Sequence, residues 1–122
     1  MNELINWLQA LPPEASLFAF FTALAFALFM AVIPGRADPT RFVNDKFKHA
    51  VTFLVLFIML DLAYPTPGMP WWKPVGLFAF GVFIEFCQKL TGHRNFSIGD
   101  IIANFVGIMS YLGLYAVYQG DY

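Results

Sequence analysis

The feature that most constrains this chain is an apolar segment that follows Asp100 and carries no charged residue until Asp121. A helix of this length can cross a bilayer, which requires about 20 predominantly apolar residues. Asp100, Asn104 and Gly107 are spaced four and three residues apart, so they lie on one face near the start of that helix. Polar side chains at the end of a membrane helix need polar partners, which the rest of the chain must supply.

The composition supports a membrane protein and excludes several other classes. Of the 122 residues, 59% are hydrophobic and 12% are charged, whereas about a quarter of the residues in a typical soluble domain are charged. The net charge is −1 and the seven Lys and Arg residues form no run, so nucleic acid is not expected as a partner. The single cysteine, Cys87, excludes an intrachain disulfide and a cysteine zinc cluster. No motif for a haem, flavin or nucleotide is present, so no cofactor is predicted.

Apolar segments predict four membrane helices, at about 15–34, 45–64, 74–90 and 98–118. The second is uncharged only over its middle, and we include it because its flanking charges can lie at the membrane interfaces. Before them, apolar residues at helical spacing predict a short amphipathic interfacial helix that Pro12 and Pro13 end, or else an extension of the first membrane helix. Short loops favour an all-α, antiparallel four-helix bundle in a single membrane domain over 1–122.

Local signals refine this arrangement. Asn44 is predicted to cap the second membrane helix, and Ser97 with Asp100 has the spacing of a capping box for the fourth. Alanine recurs at every fourth residue from Ala15 to Ala31, which predicts a seam that a neighbouring helix can approach closely. Phenylalanines lie off that seam and are expected to face lipid.

An antiparallel bundle brings the start of the second helix, the end of the third and the start of the fourth to one side of the membrane. We therefore predict a polar cluster there, formed by Asp45, Lys46, His49, Glu85, Gln88, Arg94, Asp100 and Asn104. Glu85 lies more than one turn inside its helix, where a charge is costly, and is the strongest single indication of a functional site. Asp61 is expected at the opposite interface.

The same residues resemble a known family pattern over roughly residues 42 to 115. The pieces are Asp45-Lys46-x-x-His49, Glu85-x-x-Gln88, and Arg94 followed by Asp100-x-x-x-Asn104-x-x-Gly107. In this order they resemble VanZ-like membrane proteins, a family named after a protein associated with teicoplanin resistance. The resemblance implies a small multi-spanning protein, which we expect in the bacterial cytoplasmic (inner) membrane.

The cluster suits recognition of an anionic lipid or a lipid-linked phosphate. Arg94 offers a bidentate fork, Lys46 a point charge and His49 a donor or proton carrier. If chemistry occurs there, His49 and Glu85 are the candidate catalytic residues, but no activated nucleophile is evident and enzymatic activity stays undecided. Although His49 and nearby carboxylates have the chemistry to ligate a divalent cation, no spacing indicates a site, so no metal is predicted.

Two other hypotheses stay open. The polar residues can pair with one another, Glu85 with Lys46 or Arg94 and His49 with Asp45, in an accessory subunit of a larger membrane protein complex. A proton or ion pathway is the third. A ligand site should keep Lys46 and Arg94 partly in contact with water, a structural cluster should pair every charge, and a pathway needs polar groups in both halves of the bundle.

The orientation in the membrane has two opposed indications. Lys and Arg are concentrated on the side of the cluster, which the positive-inside rule would make cytoplasmic. The family resemblance instead implies an extracytoplasmic face for the motif residues.

Overall fold

The computed structural model describes residues 2–33, 44–92 and 98–119, where all regular secondary structure is helical. A short helix, α1 (Asn2–Gln9), precedes four long ones: α2 (Pro13–Val32), α3 (Asp45–Ala63), α4 (Trp72–Thr91) and α5 (Ile98–Gln119). The all-α prediction is confirmed, and the ends of the long helices lie within two residues of the expected bounds. The location of α1 at a membrane surface stays a prediction.

The helix ends follow local side-chain chemistry. The Asn44 side chain accepts hydrogen bonds from the backbone N–H groups of Lys46 at 2.9 Å and Phe47 at 3.2 Å, which confirms the predicted cap of α3. Gly92 ends α4 in the left-handed region, with φ of 75°, where a side chain would be strained. The predicted capping box of α5 depends on Ser97, which lies outside the described residues.

Three of the described helices are long and apolar enough to cross a membrane: α2, α4 and the segment Ile98–Tyr118 of α5. The shorter α3 is not among them, because it contains Asp45, Lys46, Lys48 and Asp61. Many large apolar side chains face outward, including Phe18 on α2 and Leu90 on α4, which are 76% and 85% exposed. An apolar surface of this kind is typical of a protein that contacts a membrane or another protein there.

The helix with the most charged residues is also the most extensively packed, because α3 makes most of the contacts between the helices, above all with α5. Its buried residues form the middle of the apolar core, together with Phe20 of α2, Leu77 and Ile84 of α4 and Ile108 of α5. The buried residues of α3 are Phe53, Leu56, Phe57, Leu60 and Ala63.

Glycine sets the closest approach between α3 and α5. A Cβ atom at Gly107 would lie 2.2 Å from the carbonyl oxygen of Ala50 and 3.1 Å from the backbone nitrogen of Leu54. Gly107 and the nearby Ala103 are both buried. This approach brings the polar first turns of the two helices together.

The predicted alanine seam of α2 is correct only in its second half. Ala23, Ala27 and Ala31 pack against the core, whereas Ala15 and Ala19 are exposed and Leu17 makes the core contact in that part of the helix. Each step of four residues advances by about 40° around a helix, so the full run turns through about 160°. A straight neighbouring helix contacts only one face of α2, so it cannot contact all five alanines.

Two polar clusters lie at opposite ends of α3. At its start, side chains of α3, α4 and α5 form the Asp100 cluster, which consists of Lys46, His49, Glu85, Gln88, Asp100 and Asn104. Near its end, the Asp61 cluster consists of Asp61, Lys73 and Tyr111. The interhelical contacts thus join the starts of α3 and α5, and the end of α3 with the start of α4.

Candidate functional site

The Asp100 cluster is polar in chemistry but largely closed to solvent. Glu85 and Gln88, one turn apart in the last turns of α4, are 0% and 1% exposed. Asp100 and Asn104, one turn apart at the start of α5, are 5% and 1% exposed. Burial of ionisable and amide groups at this level is costly unless each is paired or serves a ligand.

Asp100 lies at the centre of the cluster because its two carboxylate oxygens face different partners. Lys46 donates from Nζ to Asp100 Oδ1 at 2.5 Å. On the other side, His49 Nε2 lies 3.5 Å from Asp100 Oδ2. The Lys46 side chain remains 52% exposed, while that of Asp100 is 7% exposed, so the cation reaches a buried carboxylate from the solvent side.

The His49 ring is oriented from α5. Its Nδ1 lies 2.8 Å from Asn104 Oδ1, and because an amide oxygen only accepts, Nδ1–H is the donor. Asn104 is accommodated by a glycine on α4: a Cβ atom at Gly81 would lie 2.7 Å from Asn104 Nδ2 and 3.0 Å from the ring of Phe53. Gly81, Glu85 and Gln88 share a buried face of α4.

Two buried amide atoms in this cluster have no hydrogen-bond partner in the part of the chain that the structure describes. Among the described residues, Gln88 Oε1 and Asn104 Nδ2 are buried and make no hydrogen bond. Such a group costs about 1–3 kcal/mol when left unsatisfied. Atoms of this kind are expected where a ligand or ordered water supplies the missing contact.

The structure brings together most of the predicted site residues, although not always in the predicted pairs. Lys46 contacts Asp100, and His49 contacts Asn104 rather than Asp45. Both contacts arise because α3 and α5 meet at their starts, so the first turns of the two helices face each other.

Of the two remaining predicted members, one has a partner on its own helix and the other is not described. Asp45 has an exposed side chain and pairs with Lys48 on its own helix at 3.4 Å, since that opposite charge lies three residues away on the same face. Arg94 lies outside the described residues, so its contacts stay a prediction.

A groove leads from the Asp100 cluster along the side of the bundle. It has a volume of about 460 Å³ and runs between α2 and α3, with Ile84 and Gln88 of α4 at its floor. Its walls are mainly apolar, including Ala23, Ala27 and Ala31 of α2. At one end the lining turns polar, with Asp45, Lys48, His49 and Gln88.

Sequence reasoning missed the Asp61 cluster at the other end. Lys73 is 0% exposed, and its Nζ lies 2.6 Å from Asp61 Oδ1. Tyr111 donates from its hydroxyl to Asp61 Oδ2 at 2.5 Å. Tyr111 follows Gly107 by four residues and so continues the face that Asp100 and Asn104 begin. That spacing was the available signal.

Comparison with protein-family models, with curated proteins and with solved structures gave no match for this chain. The resemblance to VanZ-like proteins therefore stays a prediction that rests on the motif residues alone.

Proposed function

We propose that this chain is an integral membrane protein that binds a phosphate-bearing anionic lipid of the bacterial cell envelope. In this proposal α2, α3, α4 and α5 form an antiparallel bundle in the cytoplasmic membrane, and the chain is a VanZ-like protein. Three helices have the required length and hydropathy. The charged α3 crosses between them, where its apolar middle is buried and its charges lie at the two ends.

The groove between α2 and α3 is the observation that carries the proposal. Its volume of about 460 Å³ falls in the usual range for small-molecule sites, about 300–1,000 Å³. Because α2 is one of the candidate membrane helices, a groove between α2 and α3 would be accessible to lipid in this proposal. An acyl chain along the alanines of α2 would bring its headgroup to Lys48 and His49.

The charges at that end support an anionic headgroup. Lys46 is 52% exposed although it pairs with the buried Asp100, which matches the ligand-site expectation that this lysine stays partly wet. Lys48 lines the groove beside it. An ammonium group in such a position can contact a phosphate while keeping its carboxylate partner.

A proton or ion pathway is less well supported. Polar groups do occur in both halves of the bundle, at His49 and Asp61. They are separated by about 18 Å along α3, at 1.5 Å per residue, and the space between them holds Phe53, Phe57 and Ile108, which are 1%, 0% and 2% exposed. These apolar side chains provide no series of groups that could carry a proton from one cluster to the other.

Native mass spectrometry of the gently solubilised full chain tests the proposal. We expect the wild type to retain a phosphate-bearing lipid, and Arg94→Ala and Ala27→Phe to lose it. The first variant removes the predicted phosphate fork, and the second fills the groove. Lys89→Ala, at an exposed lysine on α4, and Ala25→Phe, on the exposed face of α2, are the matched controls and should retain the lipid.

Two results would contradict lipid binding at this site. One is equal lipid retention in all five proteins, which would indicate annular lipid. The other is a partner protein at fixed stoichiometry with no specific lipid, which would make the chain an accessory subunit. Circular dichroism and size-exclusion chromatography of each variant show whether the bundle is intact.

A further inference from the structure

His49, Glu85 and Asp100 come from three different helices, yet each offers a metal-ligating atom to the same small space. One imidazole nitrogen and one oxygen from each carboxylate all lie within 4.8 Å of one another. Glu85 and Asp100 are 0% and 5% exposed, and the His49 side chain is 14% exposed. Modest side-chain movement would bring these atoms to the spacing of ligands around one ion, which binds nitrogen and oxygen at about 2.0–2.2 Å.

The hydrogen bond to Asn104 prepares His49 for this role. Because Nδ1–H donates to Asn104 Oδ1 at 2.8 Å, the neutral ring carries its free lone pair on Nε2. That nitrogen faces Asp100 Oδ2 at 3.5 Å. With the ring neutral, both atoms are electron-pair donors, so a cation between them could be coordinated by both. Metal-bound histidines are commonly oriented in this way by an acceptor on the other nitrogen.

The two carboxylate oxygens of Asp100 face different sides of the cluster. Lys46 contacts Oδ1 from the solvent side, and Oδ2 lies on the side of the imidazole. Asp100 therefore presents Oδ2 to the same space as His49.

An independent observation comes from Gln88. Its Oε1 atom is buried, with the residue 1% exposed, and makes no hydrogen bond among the described residues. Gln88 lies one turn beyond Glu85 on the same buried face of α4, and it lines the groove together with His49. An amide carbonyl oxygen without a donor suits a cation, or a water molecule bound to one.

We propose that His49, Glu85 and Asp100 bind one divalent first-row transition ion, Mn²⁺ or Zn²⁺. Imidazole nitrogen favours such ions over Mg²⁺ and Ca²⁺, for which all-oxygen sites are typical, and two carboxylates balance the charge of the ion. Three protein ligands leave coordination positions open for water or an exogenous oxygen ligand. Asn104 acts as a positioning residue through His49. This site does not depend on lipid binding.

Metal titration of the full chain in detergent tests the site. The protein is purified without a polyhistidine tag, stripped with EDTA and titrated with Mn²⁺, read by the electron paramagnetic resonance signal of the free ion, and with Co²⁺, read by visible absorption. We expect one ion per chain for the wild type. His49→Ala and Glu85→Gln should lower the affinity by more than about 100-fold, because changes even outside the ligand set typically cost 10–100-fold.

Asn104 provides a test that separates coordination from general disruption. Asn104→Ala should lower the affinity by about 10-fold, because the imidazole loses its orienting acceptor. Asn104→Asp keeps an acceptor oxygen and should retain binding. Glu14→Gln changes an exposed carboxylate on α2 and should bind as the wild type does.

The proposal is overturned if the wild type binds neither Mn²⁺ nor Co²⁺ at one ion per chain. It is equally overturned if His49→Ala and Glu85→Gln bind as tightly as the wild type while remaining folded. Glu85→Gln preserves shape, so its thermal unfolding in detergent shows whether lost binding reflects lost structure. Lipid retention measured on the EDTA-treated wild type distinguishes failure of this site from failure of the lipid site.

Discussion

The two polar clusters at the ends of α3 have similar chemistry but differ in how many of their polar atoms have partners. In the Asp61 cluster each carboxylate oxygen has one partner, Lys73 or Tyr111, and the Lys73 ammonium also lies 5.6 Å from the centre of the Trp72 ring. In the Asp100 cluster the lysine is half exposed and buried amide atoms of Gln88 and Asn104 lack partners among the described residues. A cluster whose groups satisfy one another stabilises a fold, whereas an incomplete one has atoms available for a ligand.

The largest effect should come from breaking the closed cluster. Lys73→Met removes the ammonium but keeps much of the side-chain volume, which leaves Asp61 as an uncompensated charge. We expect the free energy of unfolding to fall by about 3 kcal/mol, the lower range for breaking a buried ion pair. Unfolding in detergent, followed by circular dichroism, measures this change.

The double variant Asp61→Asn with Lys73→Met is the control for that prediction, because it removes both charges. It should recover part of the lost stability. Unchanged stability in Lys73→Met alone would show that the Asp61 cluster does not hold the helices together.

A second test concerns the close approach that assembles the Asp100 cluster. Gly107→Ala places a methyl group against the Ala50 carbonyl oxygen, 2.2 Å away. We expect the free energy of unfolding to fall by about 2 kcal/mol, within the range for overpacking of a core. Retention of the phosphate-bearing lipid should also weaken, because α3 and α5 are forced apart. The same unfolding assay and native mass spectrometry provide the two measurements.

Gly113→Ala is the matched control on the same helix, since nothing lies within 4 Å of a Cβ atom there. It should leave stability unchanged or raise it by up to about 1 kcal/mol, because alanine favours helix more than glycine does. If both glycine variants behave alike, the close packing of α3 against α5 does not determine stability.

The smallest change in stability is expected from the open cluster. Lys46→Ala removes one partner of the buried Asp100, but the lysine side chain is 52% exposed, and ion pairs in contact with solvent contribute less than buried ones. We expect a loss of stability of about 1 kcal/mol, smaller than for the fully buried Lys73, while retention of a phosphate-bearing lipid decreases. A loss of stability as large as that of Lys73→Met would instead assign the Asp100 cluster to architecture.

Most of the helices could be predicted, because helix formation depends on residues that are close in sequence. Uncharged runs indicated the long helices, and Asn44 marked a helix start because its side chain satisfies nearby N–H groups. Chain order and helix ends also predicted the six polar residues of the Asp100 cluster, although Asp45 pairs with Lys48 and Arg94 lies outside the described residues. The alanine seam was only half correct, since a fixed spacing of four residues drifts around the helix.

The partners of individual side chains could not be predicted in the same way. Lys46 with Asp100, His49 with Asn104 and Lys73 with Asp61 are contacts between different helices. They depend on how each helix is rotated about its axis and on how closely the axes approach, and neither quantity is encoded in local periodicity. Local spacing also did not show that Gly107 is the point where α5 meets the backbone of α3.

The sequence by itself therefore determined an all-helical chain with apolar segments of membrane-spanning length and a set of polar residues near one end. Only the tertiary structure decided that Lys73 and Tyr111 pair with Asp61 near the end of α3. It also decided that, near the start of α3, one ligand atom from each of His49, Glu85 and Asp100 lies within 4.8 Å of the others. The reason is physical: helix formation follows from contacts near in sequence, whereas a site made by three helices exists only once their packing sets the distances between them.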